Sequence, residues 1–256
     1  VPADVKILGG FAGTETAANE RVGTARTVLD GNKLYDHLNL TIANGVAVTI
    51  GQITFTKAKT RAILKDGGGD IFVSDCDFLA NGTEQKGAGR GAYLKGASTG
   101  SAGFANCRFE DNRYFKGEEG HSFGAAMRLE SLVRVTLDGC VFLKNGLILG
   151  AAGANSWSSG MGGSAIYASA TPLTARGCRF AGNCSALREP EEGGVIRLGG
   201  ASGGSAFTNC LFIGNSEYRG YQSNENKRGG TLTVYLSSVA GTVDLMNCTF
   251  AYNGYN

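Results

Sequence analysis

The sequence predicts an all-β protein, a single-stranded right-handed parallel β-helix (a solenoid) of about seven coils. Two repeated motifs predict it. The first motif, Cys-x-Phe-x-x-Asn, recurs at intervals of 31 to 38 residues. The second motif, a pair of small residues followed by apolar residues, falls between copies of the first. The six copies of the first motif begin at Cys76, Cys107, Cys140, Cys178, Cys210 and Cys248.

The spacing within each Cys motif predicts two strands joined by a sharp corner. Cys and Phe are two residues apart, so they share one face of a strand. Another apolar residue lies three positions before each Cys, as Val73 does before Cys76, and this step breaks the period of two. The residue directly before Cys is of a type that tolerates the left-handed conformation. These expected corner residues are Asp75, Asn106, Gly139, Gly177, Asn209 and Asn247.

The second motif supplies a third strand in each repeat. Three short strands per repeat, without helical periodicity, are typical of a β-helix, in which like residues stack about 4.8 Å apart. We interpret the Asn that closes each Cys motif as a corner residue. A propeller is the alternative, but its blades need four strands joined by hairpins, and the hairpin turn pairs are missing. The second motif occurs at 90–93, 124–127, 163–166, 193–196 and 229–232.

The whole chain, 1–256, is predicted to form one domain. Residues 1–27 are expected to be an N-terminal cap and residues 28–256 to form the coils, because terminal repeats need caps. A degenerate copy of the Cys motif has Ile53, Phe55 and Ala58 at the motif positions. We expect the last coil to be covered by a partner or by further domains of a longer chain.

Composition excludes several classes of function. The net charge of +2 gives no indication of nucleic-acid binding. No apolar run reaches the roughly 18 residues of a spanning helix, so no direct membrane insertion by this segment is expected. The chain has neither Cys-x-x-Cys nor a His pair at ligand spacing, and neither a metal nor another cofactor is expected. Six of the seven cysteines occupy one repeat position, which favours buried free thiols over disulfides.

Two groups of polar residues allow a structural interpretation. Asp66, Asp70, Asp75 and Asp77 cluster in sequence, but a surface ion pair between Asp77 and Arg108 is simpler than a calcium site. His37 falls in the early strand region and is expected to be structural.

Five insertions follow the repeat Asn residues, at 82–89, 113–123, 146–162, 184–192 and 216–228. They leave equivalent corners, so we expect them to rise along one flank, where a rigid scaffold holds functional loops. Their aromatic and Arg side chains are typical anchors of recognition surfaces. The alternative is that each ring only fastens its loop to the scaffold. The candidate ligand-binding residues are Tyr114, Glu118, Glu119, His121, Trp157, Arg188, Tyr218, Arg219 and Tyr221.

The two motifs resemble the repeats of bacterial polymorphic outer membrane proteins, which alternate Gly-Gly-Ala-Ile with Phe-x-x-Asn. Phe-x-x-Asn matches in all six copies, and Gly-Gly-Ala-Ile is approximated at 163–166 and 193–196. The opening segment 9–16, followed by 27–31, is similar to the start of many secreted bacterial β-helix proteins. The resemblance implies a secreted or cell-surface protein of the adhesin type, with a pectate-lyase-like fold.

Three functions remain open from the sequence. The leading hypothesis is an extracellular binding protein that takes a host or environmental glycan or protein ligand on the loop flank. The alternative is a polysaccharide lyase or glycoside hydrolase on the same scaffold, which needs converging acids such as those of the insertions. A spacer without a ligand is the third. If the loop flank does not bind, the outward face carrying Asp77, Arg108 and Arg179 is the next surface to consider.

Overall fold

The computed structural model describes residues 4–11, 13–21, 25–82, 89–113, 124–146, 163–187, 194–200, 202–219, 231–235 and 241–255. Within these ranges the chain forms 26 strands and one short 3-10 helix, Ala18–Glu20. Every strand pairing is parallel, so the prediction of an all-β protein built from parallel strands is confirmed.

The strands are short, two to five residues each. In chain order they are β1 (Val5–Leu8), β2 (Thr27–Asp30), β3 (Leu38–Thr41), β4 (Ala47–Gly51), β5 (Ile53–Thr56), β6 (Ile63–Asp66), β7 (Asp70–Ser74), β8 (Asp77–Leu79), β9 (Ala92–Lys95), β10 (Ser101–Ala105), β11 (Arg108–Glu110), β12 (Met127–Glu130), β13 (Arg134–Asp138), β14 (Val141–Leu143), β15 (Ile166–Ser169), β16 (Leu173–Arg176), β17 (Arg179–Ala181), β18 (Cys184–Leu187), β19 (Ile196–Gly199), β20 (Ser205–Thr208), β21 (Leu211–Ile213), β22 (Ser216–Arg219), β23 (Leu232–Tyr235), β24 (Val243–Met246), β25 (Thr249–Ala251) and β26 (Gly254–Tyr255).

These strands are distributed over four sheets. Sheet A has the order β1-β4-β7-β10-β13-β16-β20-β24, and sheet B the order β2-β5-β8-β11-β14-β17-β21-β25. Sheet C has the order β23-β19-β15-β12-β9-β6-β3, and the small sheet D the order β18-β22-β26. The chain therefore visits sheets A, B and C in rotation, and it adds a strand to sheet D between sheets B and C from β18 onward.

The corner between sheets A and B is the one that the sequence predicts. The residue before each Cys has a φ of 51° to 59°, and Gly139 and Gly177, at 59°, match Asn106 at 52°. A second left-handed residue, which the sequence does not reveal, precedes each repeat Asn. It is Ala80, Asp111, Lys144, Gly182, Gly214 or Tyr252, and these types share no property that a sequence pattern would expose.

The repeat Asn residues line the interior as well as the corner. Asn81, Asn112, Asn145, Asn183 and Asn215 are at most 2% exposed. The side-chain amide of Asn145 donates to the carbonyl oxygen of Phe109 at 3.0 Å and to Oδ1 of Asn183 at 3.0 Å. Oδ1 of Asn145 also accepts from the backbone amide of Asn112 at 3.1 Å, so its side chain satisfies buried backbone groups of the preceding turn, which would otherwise cost free energy.

Apolar ladders fill the space between the sheets. The Phe of each Cys motif stacks on the next, with Phe109, Phe142 and Phe180 separated by centroid distances of 4.9 and 4.8 Å. All seven cysteines are free, as predicted, and six of them are buried. Interaction with the Cys107 thiol raises the pKa of Cys140 to about 12, and burial raises that of Cys76 to about 11. The thiols of Cys76 and Cys140 are therefore protonated at neutral pH and unreactive as nucleophiles.

One copy of the second motif is displaced from its predicted alignment by a single residue. The sequence aligns Tyr93 with Met127, but in the structure Ala92 pairs with Met127 and Tyr93 with Arg128. Tyr93 consequently faces outward. The reason is that this copy begins one residue earlier, at Gly89, whose φ of 63° matches that of Gly124 at 67°; the fully buried Arg90 then occupies the position of the small residue Ala125.

Candidate ligand-binding site

Seven of the nine sequence-predicted site residues lie outside the described residues: Tyr114, Glu118, Glu119, His121, Trp157, Arg188 and Tyr221. Tyr218 and Arg219 belong to β22, where their backbones pair with Ala186 and Leu187 of β18. The structure therefore places the backbone of two candidates side by side with the start of another insertion.

The insertions begin next to one another. Arg113, Gly146 and Cys184 form parallel bridges in succession, Cys184 pairs with Ser216, and Ser216 pairs with Gly254. Each of these residues directly follows a repeat Asn. The segments that leave the repeats thus stand in parallel register along one flank.

The insertions also end next to one another, at the entry to sheet C. Gly89, Gly124 and Gly163 each have a φ between 63° and 67°, and the amide of Gly89 donates to the carbonyl of Gly124 at 2.8 Å. An added Cβ on any of these three glycines would overlap backbone atoms of the strand that follows. The return corner therefore requires glycine.

An outward-facing side chain lies four residues after each of the three return glycines. With Arg197 these side chains form a row in which Tyr and Arg alternate. Tyr93, Arg128, Tyr167 and Arg197 are register partners on the adjacent strands β9, β12, β15 and β19. We call these four residues the Tyr–Arg row. The row lies close to the return glycines Gly89, Gly124 and Gly163, where the chain enters sheet C after three of the insertions.

Cations lie over the tyrosine rings along the whole row. The Arg128 guanidinium carbon is 5.0 Å from the ring centroid of Tyr93 and 5.7 Å from that of Tyr167. Arg197 is 5.6 Å from the Tyr167 centroid, and Arg61 is 5.2 Å from that of Tyr93. Such contacts contribute about 0.5–1 kcal/mol each at exposed sites, and they fix the guanidinium orientation.

Glu130 joins both residue types of the row. The Tyr93 hydroxyl donates to Glu130 Oε2 at 2.7 Å, and Arg128 Nε donates to Oε1 at 2.7 Å. Burial raises the pKa of Tyr93 to about 12 and lowers that of Arg61. Tyr93 therefore remains a neutral donor at physiological pH. The surface presents guanidinium groups and the edges of tyrosine rings, which can bind hydroxyl, carboxylate or sulfate groups of a ligand.

The outer face of sheet B differs from its prediction. Asp77 does not pair with Arg108 on the adjacent strand; Arg26 Nε approaches Asp77 Oδ2 at 3.4 Å, and Arg108 pairs with Glu110. Arg26 lies directly before β2 and reaches Asp77 from there. This ion-pair prediction is therefore wrong, because a more distant part of the chain supplies the partner.

The early acids act as backbone acceptors. Asp70 Oδ1 accepts from the amide of Ser101 at 2.7 Å, and Asp66 Oδ1 from that of Gly67 at 2.8 Å. Among the described residues no group of three or more His, Cys, Asp or Glu side chains is arranged to hold a metal.

His37 has the structural contacts that the sequence predicts. Its Nε2 lies 3.1 Å from the carbonyl oxygen of Thr56, and its ring packs 5.7 Å from that of Phe55. Burial lowers the pKa of His37, so the imidazole is neutral at pH 7 and donates to this carbonyl.

Sequence analysis did not identify the Tyr–Arg row. A usable signal was present, since Tyr or Arg directly follows the fourth residue of four successive second motifs when the first of them is read from Gly89. The one-residue displacement at Arg90 concealed it. No helix within the described ranges is long and apolar enough to cross a bilayer. None of the protein-family models, curated proteins or solved structures compared with this chain matches it.

Proposed function

We propose that this chain is an extracellular or cell-surface binding protein that takes a glycan or protein ligand along its loop flank. The observation that carries the proposal is the coincidence of two features at one place. The insertions begin and end in register, and the Tyr–Arg row runs beside their return points. A rigid scaffold that presents variable loops beside an ordered row of Tyr and Arg is suited to recognition.

The β-helix scaffold that holds this flank is also part of the proposal. Rotation of the chain through sheets A, B and C supports a single-stranded β-helix of about seven coils, forming one domain over residues 1–256. Parallel strands joined by crossover connections are right-handed in nearly all proteins, which supports a right-handed winding. The proposed surface setting, secreted and bacterial, rests on the resemblance to polymorphic outer membrane protein repeats.

The second candidate is a polysaccharide lyase or glycoside hydrolase. One observation favours keeping it: eight Glu residues fall in the insertions, and five of them cluster in two insertions, at 118, 119, 189, 191 and 192. A converging pair of these acids would supply the general acid and base that glycoside hydrolysis requires.

A glycan-array screen combined with a reducing-sugar assay separates these functions. Binding without release of reducing ends supports the binding protein, and release of reducing ends supports the enzyme. If neither glycans nor a panel of host extracellular-matrix proteins binds, the proposal of a binding protein is wrong and a spacer remains.

Two substitutions locate the ligand once one is found. Trp157→Ala and Arg128→Ala should each weaken binding about tenfold or more, because anchoring aromatic and Arg residues dominate recognition. Arg108→Ala, an Arg on the outer face of sheet B, is the matched control and should leave affinity unchanged. If Arg108→Ala or Arg179→Ala removes binding instead, the ligand lies on the outer face of sheet B.

A further inference from the structure

The outer face of sheet A carries a groove that is separate from the loop flank. Thr49, Phe72, Gly103, Thr136 and Thr174 are register partners on the adjacent strands β4, β7, β10, β13 and β16. Two cavities of about 300 and 340 Å³ lie along this line and share Thr136 and Asp138 in their walls. Together they form one shallow groove across five strands, about 19 Å long at a strand spacing of about 4.8 Å.

An aromatic ring forms the floor of the groove at one end. Phe72 is 46% exposed. A Cβ on the neighbouring Gly103 would lie only 3.0 Å from Phe72 Cδ1, so the absence of a side chain there leaves room for the ring. The ring therefore lies against the sheet and keeps apolar surface open to solvent in the middle of a strand.

Polar groups line the rest of the groove. Ser74, Thr136 and Thr174 supply hydroxyl groups, and Asp138 and Arg176, which are register partners on β13 and β16, supply a carboxylate and a guanidinium. Arg134 lines the same groove, so the charged side chains of the groove are one carboxylate and two guanidiniums. The groove thus combines one apolar face, several hydroxyls and charged groups that can bond to vicinal hydroxyls.

We propose that this groove is a second binding site, for a linear oligosaccharide lying across the strands of sheet A. The axial faces of pyranose rings are apolar and pack on aromatic rings, and their equatorial hydroxyls match the polar walls. The walls are too shallow to enclose a compact apolar ligand. This site is distinct from the loop flank, because the groove lies on sheet A and the Tyr–Arg row on sheet C, and the two sheets have no strand in common.

An extended peptide fits the groove less well. Peptides that bind sheets do so by adding a strand to an open edge, where backbone groups await partners. β4, β7, β10, β13 and β16 each pair with a strand on both sides, so their backbone groups are already bonded within the sheet. A ligand on this face must be held by side chains alone, which favours a polyhydroxylated chain.

The test titrates cellohexaose, xylohexaose and maltohexaose into the full chain by isothermal titration calorimetry, with an extended Ser-Thr-Val decapeptide as the competing probe. At least one hexasaccharide should bind. Phe72→Ala should weaken its Kd about tenfold or more, and Phe72→Tyr should restore it. Tyr252→Ala, which removes an exposed ring outside the groove, and Arg128→Ala, on the loop flank, should leave this Kd unchanged.

Thr136→Val preserves shape and removes one hydroxyl, so it keeps the test valid if Phe72→Ala fails to fold; it should weaken binding severalfold. Three results overturn the proposal: no hexasaccharide binds, only the decapeptide binds, or binding is insensitive to both Phe72 and Thr136. Hexasaccharide binding that Arg128→Ala abolishes and Phe72→Ala spares would place the ligand on the loop flank, which overturns the groove and preserves the proposed function.

Discussion

The inward and outward positions of the same strands follow different rules. In β12, Met127 and Leu129 are buried, whereas Arg128 and Glu130 face outward. Inward positions keep the same residue or a close substitute from strand to strand, as the stacked Phe ladder shows. Outward positions vary far more, as the register partners Phe72, Gly103 and Thr136 show. The difference shows that alternate positions of each strand are required for stacking, whereas the positions between them are free to vary and to bind a ligand.

The largest effect is expected at an inward ring with neighbours on both sides. Phe142 is fully buried between Phe109 and Phe180, at centroid distances of 4.9 and 4.8 Å. Phe142→Ala should lower the free energy of unfolding by about 3–5 kcal/mol, because the cavity cannot collapse between stacked strands. Denaturant melts measure this. Leu143→Ala, on the outward side of the same strand, is the control, and an equal loss in both variants would break the comparison.

The inward amides should rank next. Oδ1 of Asn145 accepts from the backbone amide of Asn112 at 3.1 Å and from its side-chain amide at 2.9 Å. Asn145→Ala leaves these buried donors without a partner and should cost about 2–3 kcal/mol. Lys144→Gly, at the exposed left-handed position next to it, should be neutral or slightly stabilising in the same melts. A neutral Asn145→Ala would show that the buried Asn row is dispensable.

An inward ring with a neighbour on one side only should matter less. Phe250 stacks on Phe212 at 4.6 Å, but it lies in β25, at the edge of sheet B, and is 44% exposed. Phe250→Ala should cost about 1–2 kcal/mol, since roughly half of the ring's apolar surface is already in water. A cost equal to that of Phe142→Ala would mean that stacking from both sides is not what stabilises the ladder.

The smallest effect is expected at an outward position. Arg128→Ala removes two cation–π contacts and two hydrogen bonds to Glu130 at a partly exposed site. It should cost about 1 kcal/mol or less, since exposed pairs of this kind contribute little. Thermal melts of this variant beside Arg108→Ala measure the difference. A loss above about 3 kcal/mol would assign the Tyr–Arg row to the stability of the fold.

Inward positions were predictable from the sequence because stacking repeats the same requirement in each turn. Cys76 and Phe78 recur as a motif, and the left-handed residue before Cys is limited to Asp, Asn and Gly. The second left-handed corner was not predictable. There the buried Asn that follows supplies enough hydrogen bonds to hold even Ala80 or Lys144 at positive φ.

Outward positions were harder to predict because their partners come from distant parts of the chain. Asp77 takes Arg26 and not its strand neighbour, and the Tyr–Arg row appears only when Ala92 is aligned correctly with Met127. The predicted candidates in the insertions stay predictions. Variable loop sequences carry no repeat from which a register can be worked out.

Register stacking of inward side chains is the central claim, and a double-mutant cycle tests it most directly. Phe142→Leu and Phe180→Leu, alone and combined, report the coupling between two rings 4.8 Å apart. The account predicts a coupling of about 0.5–1.5 kcal/mol for this pair. Phe55 and Phe212, five strands apart in sheet B, should be additive within about 0.5 kcal/mol. Additivity in both cycles, or equal coupling in both, would contradict the account.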